Sequence, residues 1–450
     1  MLTPRTRWAA RTFLTPSASR VPGISLAVAL LIAALPVLAA GAPIRPALAG
    51  SPIRATSAIL RSAGVVPGIR SAEQAQLRAV GVSAVWRVTR GSGVTVGVLD
   101  SGADPTVPDL TGSVTVGPDY TKGADPSGYQ PPDLHGTYIA SLIAGHGSGP
   151  GDGSGVIGVA PAATILSVRV ILDDQEPGFT NFHNDTAYND TVGKGIRYAI
   201  RHGVGVINMS LGGDTPTRDL RAAIADAIAH GVVVVAAAGN DATSWNGFTP
   251  YSYPAAYPGV ISVGAVGADG QRASFSDRNA SVVLSAPGVS VVGAGPGGSY
   301  LEGSGTSPAS AIVAGVAALI RSRYPRLSPL QVEQAMISSA SRRPSGGYSP
   351  SVGFGEVDAP AALSAAAQLA AAHPDPGLAA GQRFGHDLGP VQVVHRDTAR
   401  IGGYGAAGVV LALGGLALLT WLAVRIRRIR RHGAAEGGAF GHALEQLAQP

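Results

Sequence analysis

The feature of this sequence that most constrains its fold is an alternation of short apolar runs with helical stretches, which begins near Val94. The runs are rich in β-branched residues and lack the polar alternation of a half-solvated strand; residues 94–99 and 204–209 are examples. Strands of this kind are buried on both faces, as in parallel sheets that helices cover on both sides. The sequence therefore predicts an α/β fold with three layers, in which a mainly parallel sheet has helices on both faces.

Further segments continue this pattern. The other predicted strands are 164–171, 232–238, 260–266 and 281–286, and the predicted helices are 136–144, 191–202, 218–230 and 308–321. In sheets of this type ligands bind at the carboxyl ends of the strands. Polar residues that come just after a strand are therefore the first candidates for function.

Composition excludes several classes of protein. Hydrophobic residues make up 45% of the 450-residue chain, which allows a substantial core and excludes disorder of the whole chain. The chain has no cysteine, which excludes disulfides, thiolate metal sites and cysteine nucleophiles. The net charge is +5, but the arginine clusters lie next to apolar runs, as in the signals that set membrane topology. We therefore predict no nucleic-acid partner.

The N-terminal segment has the order of a secretory signal peptide. An apolar run at 24–40 follows four arginines, and Ala-Leu-Ala at 47–49 supplies a small-x-small cleavage site. We assign residues 1–49 to the signal peptide and Gly50 to the first position of the mature chain. An uncleaved membrane anchor is the alternative, because the apolar run is long. Residues 50–79 are then a short N-terminal extension.

A second apolar run, residues 401–424, carries no charge and is followed by five arginines before residue 432. A helix of about 24 residues, at about 1.5 Å per residue, crosses a hydrocarbon core of about 30 Å. We predict a transmembrane helix at 401–424 and, because arginines favour the cytoplasmic side, a basic cytoplasmic tail at 425–450. A buried core helix is the alternative. The Pro- and Gly-containing residues 371–400 are predicted to link this helix to an extracytoplasmic domain, which makes the protein a single-pass protein of the plasma membrane.

Three polar residues have positions that matter together. Asp100 follows a buried strand, His135 lies at a helix start, and Ser307 lies where a glycine-rich turn enters an apolar helix. Alone, each is explained as a turn residue or a helix cap. Together they fit nucleophilic catalysis, because a serine hydroxyl needs an imidazole to take its proton. That imidazole in turn needs a carboxylate to fix its tautomer.

The segments 98–102, 135–137 and 305–307 resemble the three catalytic motifs of the subtilisin-like serine peptidases, the subtilase or S8 family, in the order Asp, His, Ser. The resemblance covers about residues 80–365 and leads us to assign a peptidase domain to 80–370. It implies a subtilisin-like fold and a serine endopeptidase with Asp100, His135 and Ser307 as its catalytic triad. It also implies protein or peptide substrates, an acyl-enzyme, and no cofactor or metal.

The same resemblance assigns further site residues. Asn240 matches the family's oxyanion donor, and the backbone N–H of Ser307 is the second donor. The residues that it assigns to substrate binding are Ser210, Leu211, Gly212 and Ser252. The first three match an edge that pairs with an extended peptide. Ser252 matches the border of the pocket for the substrate side chain on the N-terminal side of the scissile bond.

The layout of signal peptide, short extension, subtilase domain, linker and C-terminal helix resembles the mycosins, membrane-anchored subtilases associated with type VII secretion. This resemblance implies type VII secretion components as partners, although mycosins commonly carry cysteines and this chain has none. Two alternatives stay open. One is a structural subunit of a secretion complex whose catalysis is incidental, and the other is a general surface protease.

An acidic loop follows the predicted strand 164–171. Its acidic residues are Asp173, Asp174, Glu176, Asp185 and Asp190. One hypothesis is that their field attracts basic substrate residues. The alternative is a solvated acidic loop without a role. The spacing of these residues does not resemble a dedicated calcium loop.

Overall fold

The computed structural model describes residues 54–55, 61–62, 68–242, 249–372 and 408–428. The chain divides into two compact units, Met1–His373 and Pro374–Pro450. The predicted signal peptide at 1–49 lies outside the described residues, and so do most of the predicted linker and the end of the basic tail.

The elements have the following bounds. The strands are β1 (Arg54–Ala55), β2 (Arg61–Ser62), β3 (Thr95–Asp100), β4 (Val114–Asp119), β5 (His146–Ser148), β6 (Ser154–Ile157), β7 (Thr164–Arg169), β8 (Val206–Met209), β9 (Leu211–Gly212), β10 (Val233–Ala237), β11 (Val260–Val266), β12 (Leu284–Pro287), β13 (Val291–Ala294) and β14 (Tyr300–Gly303). The helices are α1 (Ile69–Val80), α2 (Val82–Val85), α3 (Leu134–Ala144), α4 (Phe179–Asn184), α5 (Thr191–Arg201), α6 (Arg218–Ala229), α7 (Thr306–Arg323), α8 (Pro329–Ser339), α9 (Ala359–Ala371) and α10 (Gly408–Arg428).

Seven strands form one sheet in the order β12-β11-β10-β8-β3-β7-β4, and all of its neighbouring pairs are parallel. The predicted parallel sheet is therefore confirmed. Within the sheet, β4 and β7, which follow β3 in the chain, lie beyond one edge of β3, and β8 lies beside its other edge. Ligand sites of doubly wound sheets lie at such a switch point, outside the carboxyl ends of the strands.

Helices cover both faces of this sheet. Val233 and Val235 of β10 pack in the core cluster that includes α3 and α7, whereas Val234 and Ala236 pack in the cluster that includes α5 and α6. Successive side chains of a strand point to opposite faces, so every second residue enters the same cluster. This arrangement explains why the strands are apolar without alternation, and it confirms the predicted layers.

Two predicted helices begin two residues earlier than expected, and both carry candidate site residues. The predicted helix 136–144 starts at Leu134, and the predicted helix 308–321 starts at Thr306. A proline is tolerated in the first turn, because a backbone N–H there has no partner within the helix. Pro308 therefore does not prevent Ser307 from lying in the first turn of α7.

In the second unit, α10 has a mean hydropathy of 2.1 and is long and apolar enough to cross a membrane. It begins inside the predicted span and continues beyond it to Arg428, while residues 401–407 lie outside the described part of the chain. The guanidinium of Arg425 lies 5.0 Å from the centre of the Trp421 ring, a cation–π contact. Aromatic and basic side chains of this kind are common at the membrane interface.

A buried carboxyl connects α1 to β6. Glu73 Oε2 accepts a hydrogen bond from the N–H of Ile157 at 2.8 Å, and Oε1 lies 3.4 Å from Arg70 Nη1. Burial of this fully enclosed side chain raises the pKa of Glu73 from 4.5 to about 8, although both contacts lower it. The folded chain therefore keeps a proton on Glu73 at pH values where the unfolded chain has lost it.

Because the pKa of Glu73 is higher in the folded chain, the free energy of unfolding should fall as the pH rises from about 5 to about 8. Glu73→Gln should remove this part of the pH dependence and raise the melting temperature of the full chain in detergent at pH 8. Glu302→Gln, which removes an exposed carboxyl from β14, is the matched control. Melting temperatures with the same pH dependence in wild type and Glu73→Gln would contradict this assignment.

Candidate active site

The three residues predicted as a triad lie at the carboxyl-end side of the sheet and are buried. Asp100 is the last residue of β3, His135 is the second residue of α3, and Ser307 is the second residue of α7. Their exposed fractions are 0%, 4% and 0%. Polar groups buried to this degree require partners, so their hydrogen bonds define the site.

Asp100 and His135 are in direct contact. The Nδ1 atom of His135 lies 2.7 Å from Asp100 Oδ1, and the same oxygen accepts a hydrogen bond from the N–H of Ser101 at 2.8 Å. Burial lowers the pKa of His135, but the nearby carboxylates, with Asp100 contributing most, more than offset this, and the pKa of His135 is raised overall. Asp100 therefore fixes the imidazole and favours its protonated form.

A glycine allows this contact. A Cβ atom at Gly136 would meet the carbonyl oxygen of Gly102 at 1.9 Å, so only glycine permits α3 to come this close to the turn after β3. The neighbouring residue, His135, then reaches Asp100. The glycine that follows the histidine thus serves the geometry of the pair.

The hydroxyl of Ser307 faces the end of β8. It donates a hydrogen bond to the carbonyl oxygen of Ser210 at 3.2 Å. The Nε2 atom of His135 is buried and has no hydrogen-bond partner among the described residues. This nitrogen is the atom of the imidazole that is directed away from Asp100, so it is the one that can exchange a proton with a third group.

Asn240 lies after β10 and is tied to the start of α7. Its Oδ1 atom accepts hydrogen bonds from the N–H of Thr306 at 2.9 Å and from the Thr306 hydroxyl at 3.0 Å. Fixing the amide oxygen in this way sets the direction of the amide NH₂ group, which is the donor end. A Cβ atom at Gly239, where φ is +113°, would meet Asp277 Oδ2 at 2.1 Å, so glycine is required just before Asn240.

The predicted substrate edge carries a strand already. Leu211 and Gly212 form β9, which pairs antiparallel with Ala55 and Arg54 of β1. Leu211 is fully buried, so its side chain belongs to the core and the backbone is what the edge presents. A segment of the chain's own N-terminal region thus occupies the edge that the sequence assigned to an extended peptide.

Ser210 and Ser252 lie beside this edge in different roles. The buried hydroxyl of Ser210 donates to the carbonyl oxygen of Ser307 at 3.1 Å, so it supports the first turn of α7. Ser252 is half-buried, and the next residue, Tyr253, exchanges two backbone hydrogen bonds with Gly213. The Cβ atom of Ser252 also lies 3.3 Å from the position that a Cβ atom would take if Gly239 were replaced by a larger residue. Of the four residues predicted to bind substrate, Ser210 therefore contacts Ser307, Ser252 lies beside the residue that precedes Asn240, and Leu211 and Gly212 follow Ser210 in the chain.

The acidic loop is solvated at only some of its acidic residues. Asp174 and Asp185 are exposed, but Asp173 and Glu176 are buried, with exposed fractions of 6% and 3%. Glu176 Oε2 bonds to Arg169 Nη2 at 2.6 Å. For Asp173 and Glu176 the interpretation as a solvated loop is wrong, because their side chains are buried. The attraction of basic substrate residues by the field of the loop stays a prediction.

The sequence reasoning missed Arg169 and the roles of Ser101 and Thr306. Arg169 ends β7, the neighbour of β3, and its Nη1 donates to the carbonyl oxygen of Ser101 at 2.5 Å. The rule that drew attention to Asp100, a polar residue at the end of an apolar strand, would also have identified Arg169. Ser101 and Thr306 lie inside the motif segments 98–102 and 305–307, but those segments do not indicate which contacts the two side chains make.

The chain is similar to known proteins in sequence. The model of the subtilase family matches residues 91–355, more than half of the chain. Subtilisin E of Bacillus subtilis (strain 168) is 40% identical over 250 residues, which are 56% of this chain and 61% of that relative. The chain thus spans less than two thirds of that relative's length.

Solved structures have the same fold. Fervidolysin from Fervidobacterium pennivorans, a keratinolytic enzyme related to subtilisin, aligns with a TM-score of 0.58 and 28% identity over 70% of this chain and 51% of its own. The MycP3 protease from the type VII (ESX-3) secretion system aligns with a TM-score of 0.57 and 32% identity over 70% of this chain and 94% of its own. The fold is therefore the subtilisin-like α/β fold, and the chain belongs to the subtilase family.

Proposed function

We propose that this protein is a serine endopeptidase in which Ser307 is the nucleophile, His135 the general base and Asp100 the residue that orients the imidazole. The observation that carries the proposal is the buried contact of 2.7 Å between His135 Nδ1 and Asp100 Oδ1, with the unpartnered Nε2 on the opposite side of the ring. A solvated helix cap has no need of such a buried pair. Membership of the subtilase family supports the same assignment.

In the first half of the reaction Ser307 Oγ attacks the scissile carbonyl carbon, and its proton passes to His135 Nε2. For this step the hydroxyl leaves the carbonyl oxygen of Ser210, to which it donates in the unliganded structure. Hydrogen bonds of this type are often loose before substrate binds. The imidazolium then gives its proton to the leaving amine, and an acyl-enzyme remains. Water, deprotonated by His135, releases the acid product and restores the serine.

The oxyanion of the tetrahedral intermediate is proposed to bind the amide NH₂ of Asn240 and the backbone N–H of Ser307. The anchoring of Asn240 Oδ1 on Thr306 supports this role, because it holds the donor end in one direction before the charge develops. In subtilisin, another member of the family, loss of such a side-chain donor costs about 10² to 10³ in kcat. The donor therefore matters mainly in the transition state.

Protein or peptide substrates are proposed to add as an antiparallel strand to β9, beside Ser210 and Ser252. The pairing of β1 with β9 supports this mode, since it demonstrates that the edge accepts an extended segment through its backbone. A substrate strand and β1 use the same backbone groups of Leu211 and Gly212. Substrate therefore has to displace the residues of β1.

A fluorophosphonate probe tests the catalytic assignment without knowledge of the substrate. The wild-type chain in membranes should be labelled at Ser307, whereas Ser307→Ala should not be labelled and His135→Ala should lose at least about 10² in labelling rate, because the base is lost. Asp174→Asn, which removes an exposed carboxylate on the acidic loop, is the control for charge. A folded wild type that is not labelled would overturn the proposal.

We further propose that the catalytic unit is extracytoplasmic and that α10 anchors it in the plasma membrane with the C-terminus in the cytoplasm. The length and hydropathy of α10 support a membrane span. Arg425, Arg427 and Arg428 at its C-terminal end support this orientation through the positive-inside rule.

Because the chain has no cysteine, single introduced cysteines test this topology directly. An impermeant maleimide applied to intact cells should label Ser274→Cys, on the exposed surface of the catalytic unit. It should label Ala434→Cys in the basic tail only after the cells are opened. Labelling of Ala434→Cys in intact cells would contradict the orientation.

A role in type VII secretion is proposed on the likeness to the MycP3 protease, which is a protein of the type VII (ESX-3) secretion system. A chromosomal Ser307→Ala substitution should then impair export of type VII substrates, with secretion measured by mass spectrometry of culture supernatants. Normal export in Ser307→Ala but not in a deletion strain would favour a structural subunit. Normal export in both strains would favour a general surface protease.

A further inference from the structure

A second buried carboxylate, that of Asp173, lies against the start of α3. Its Oδ2 atom accepts a hydrogen bond from the N–H of Leu134 at 3.0 Å, and its Oδ1 accepts one from the N–H of His135 at 3.3 Å. Asp173 belongs to a loop 38 residues further along the chain than His135 and is 6% exposed. The main chain of His135 is therefore held from a distant segment, by a group that water hardly reaches.

Ser101 extends this contact to the other member of the Asp–His pair. The Ser101 hydroxyl also bonds to the Asp173 carboxylate, and the N–H of Gly136 donates to Ser101 Oγ at 3.2 Å. The N–H of Ser101 donates to Asp100 Oδ1, the oxygen that contacts the imidazole. Asp173 thus connects the end of β3 with the first turn of α3.

Asp173 is itself fixed by a closed set of hydrogen bonds. Its N–H donates to Glu176 Oε1 at 2.7 Å, and Glu176 Oε2 bonds to Arg169 Nη2 at 2.6 Å. Arg169 Nη1 then donates to the carbonyl oxygen of Ser101. A set in which each member holds the next restricts the position of Asp173 more than a single contact does.

This arrangement opposes the ionisation of its carboxyl groups. Burial raises the pKa of Asp173, and burial raises the pKa of Glu176 to about 7 in spite of Arg169. Groups that are kept buried against such a cost are concentrated at functional sites. The carboxylate of Asp173 also acts on the imidazole, since it adds to Asp100 in raising the pKa of His135.

We propose that Asp173 is a positioning residue for His135, which fixes the backbone of the first turn of α3 and, together with Asp100, stabilises the positive charge that the imidazole acquires in the reaction. This inference rests on the proposed role of His135 as the general base. Among the contacts of the described residues Asp173 makes none with Ser307, so it acts through His135 and, by way of Ser101, through Asp100.

The charged and titratable groups around the pair are few. Those that act on His135 or on Asp173 are Asp100 of β3, Tyr129 and Asp133 before α3, Arg169 of β7, and Asp174 and Glu176 of the same loop as Asp173. Asp174 is exposed and therefore screened by water. Asp174 is the next residue in the chain after Asp173 and is of the same type, which makes it the matched control.

The test measures the rate of fluorophosphonate labelling of the full chain in detergent as a function of pH. The rate should rise with pH as His135 loses its proton, and the midpoint of this rise reports the pKa of His135. Asp173→Asn removes a negative charge that favours the imidazolium. The midpoint should therefore move to lower pH by about half to one unit, and the plateau rate should fall about tenfold because positioning is impaired.

Asp174→Asn should leave the plateau close to its wild-type value and move the midpoint much less than Asp173→Asn does, because water screens the exposed carboxylate of Asp174. Glu176→Gln removes an acceptor from the hydrogen bonds that hold Asp173 but leaves the charge of Asp173 in place. The plateau of the labelling rate should therefore fall, while the midpoint of its pH dependence should stay the same. This second variant also decides the question of positioning if Asp173→Asn does not fold, as judged by circular dichroism. A merely structural role of Asp173 would lower the plateau without any movement of the midpoint.

An Asp173→Asn variant that folds and keeps the wild-type midpoint would overturn the inference, as would a Glu176→Gln variant with the wild-type plateau. In both cases labelling of the wild type at Ser307 would leave the proposed function intact. A wild type that is not labelled at all would overturn the proposed function first and this inference with it.

Discussion

Because helices cover both faces of the seven-stranded sheet, polar side chains of the strands can leave the core only at the strand ends. The strand β3 illustrates this constraint: its residues from Val96 to Leu99 are buried and apolar or glycine, and the first charged residue is Asp100 at its end. All strands of the sheet run in parallel, so their carboxyl ends meet on one side of the protein. The candidate site lies there for this reason, and the two helices that begin on that side contribute His135 and Ser307.

Placing several polar groups in a dry region requires that each has a partner, and this requirement shapes the surroundings of the site. Asp100, Asp173 and Glu176 share the available donors: main-chain N–H groups, the Ser101 hydroxyl and Arg169. An arginine suits this place because its planar group bonds to several acceptors at once. The carboxylates thereby hold backbone segments that are far apart in sequence, and the site obtains its rigidity from the same bonds that offset the cost of burial.

The sequence allowed much of the fold to be predicted, since periodicity is a local property. Strands buried on both faces identified the parallel sheet, and the rule on strand ends led to Asp100. The same local reasoning misjudged Asp173 and Glu176, because acidic residues in a loop usually face water. It also gave no indication that Arg54 and Ala55 would pair with β9, since a strand of two residues has no pattern of its own.

The sequence by itself therefore determined the layers, the side of the sheet where function is expected, and the chain order of Asp100, His135 and Ser307. The tertiary structure decided which groups meet. The contact of Asp173 with His135 spans 38 residues, and that of Arg169 with Ser101 spans 68. Pairings over such distances depend on how the strands are ordered and on which side chains lose their water when the helices pack. Neither property is contained in a local run of residues, so only the folded chain specifies them.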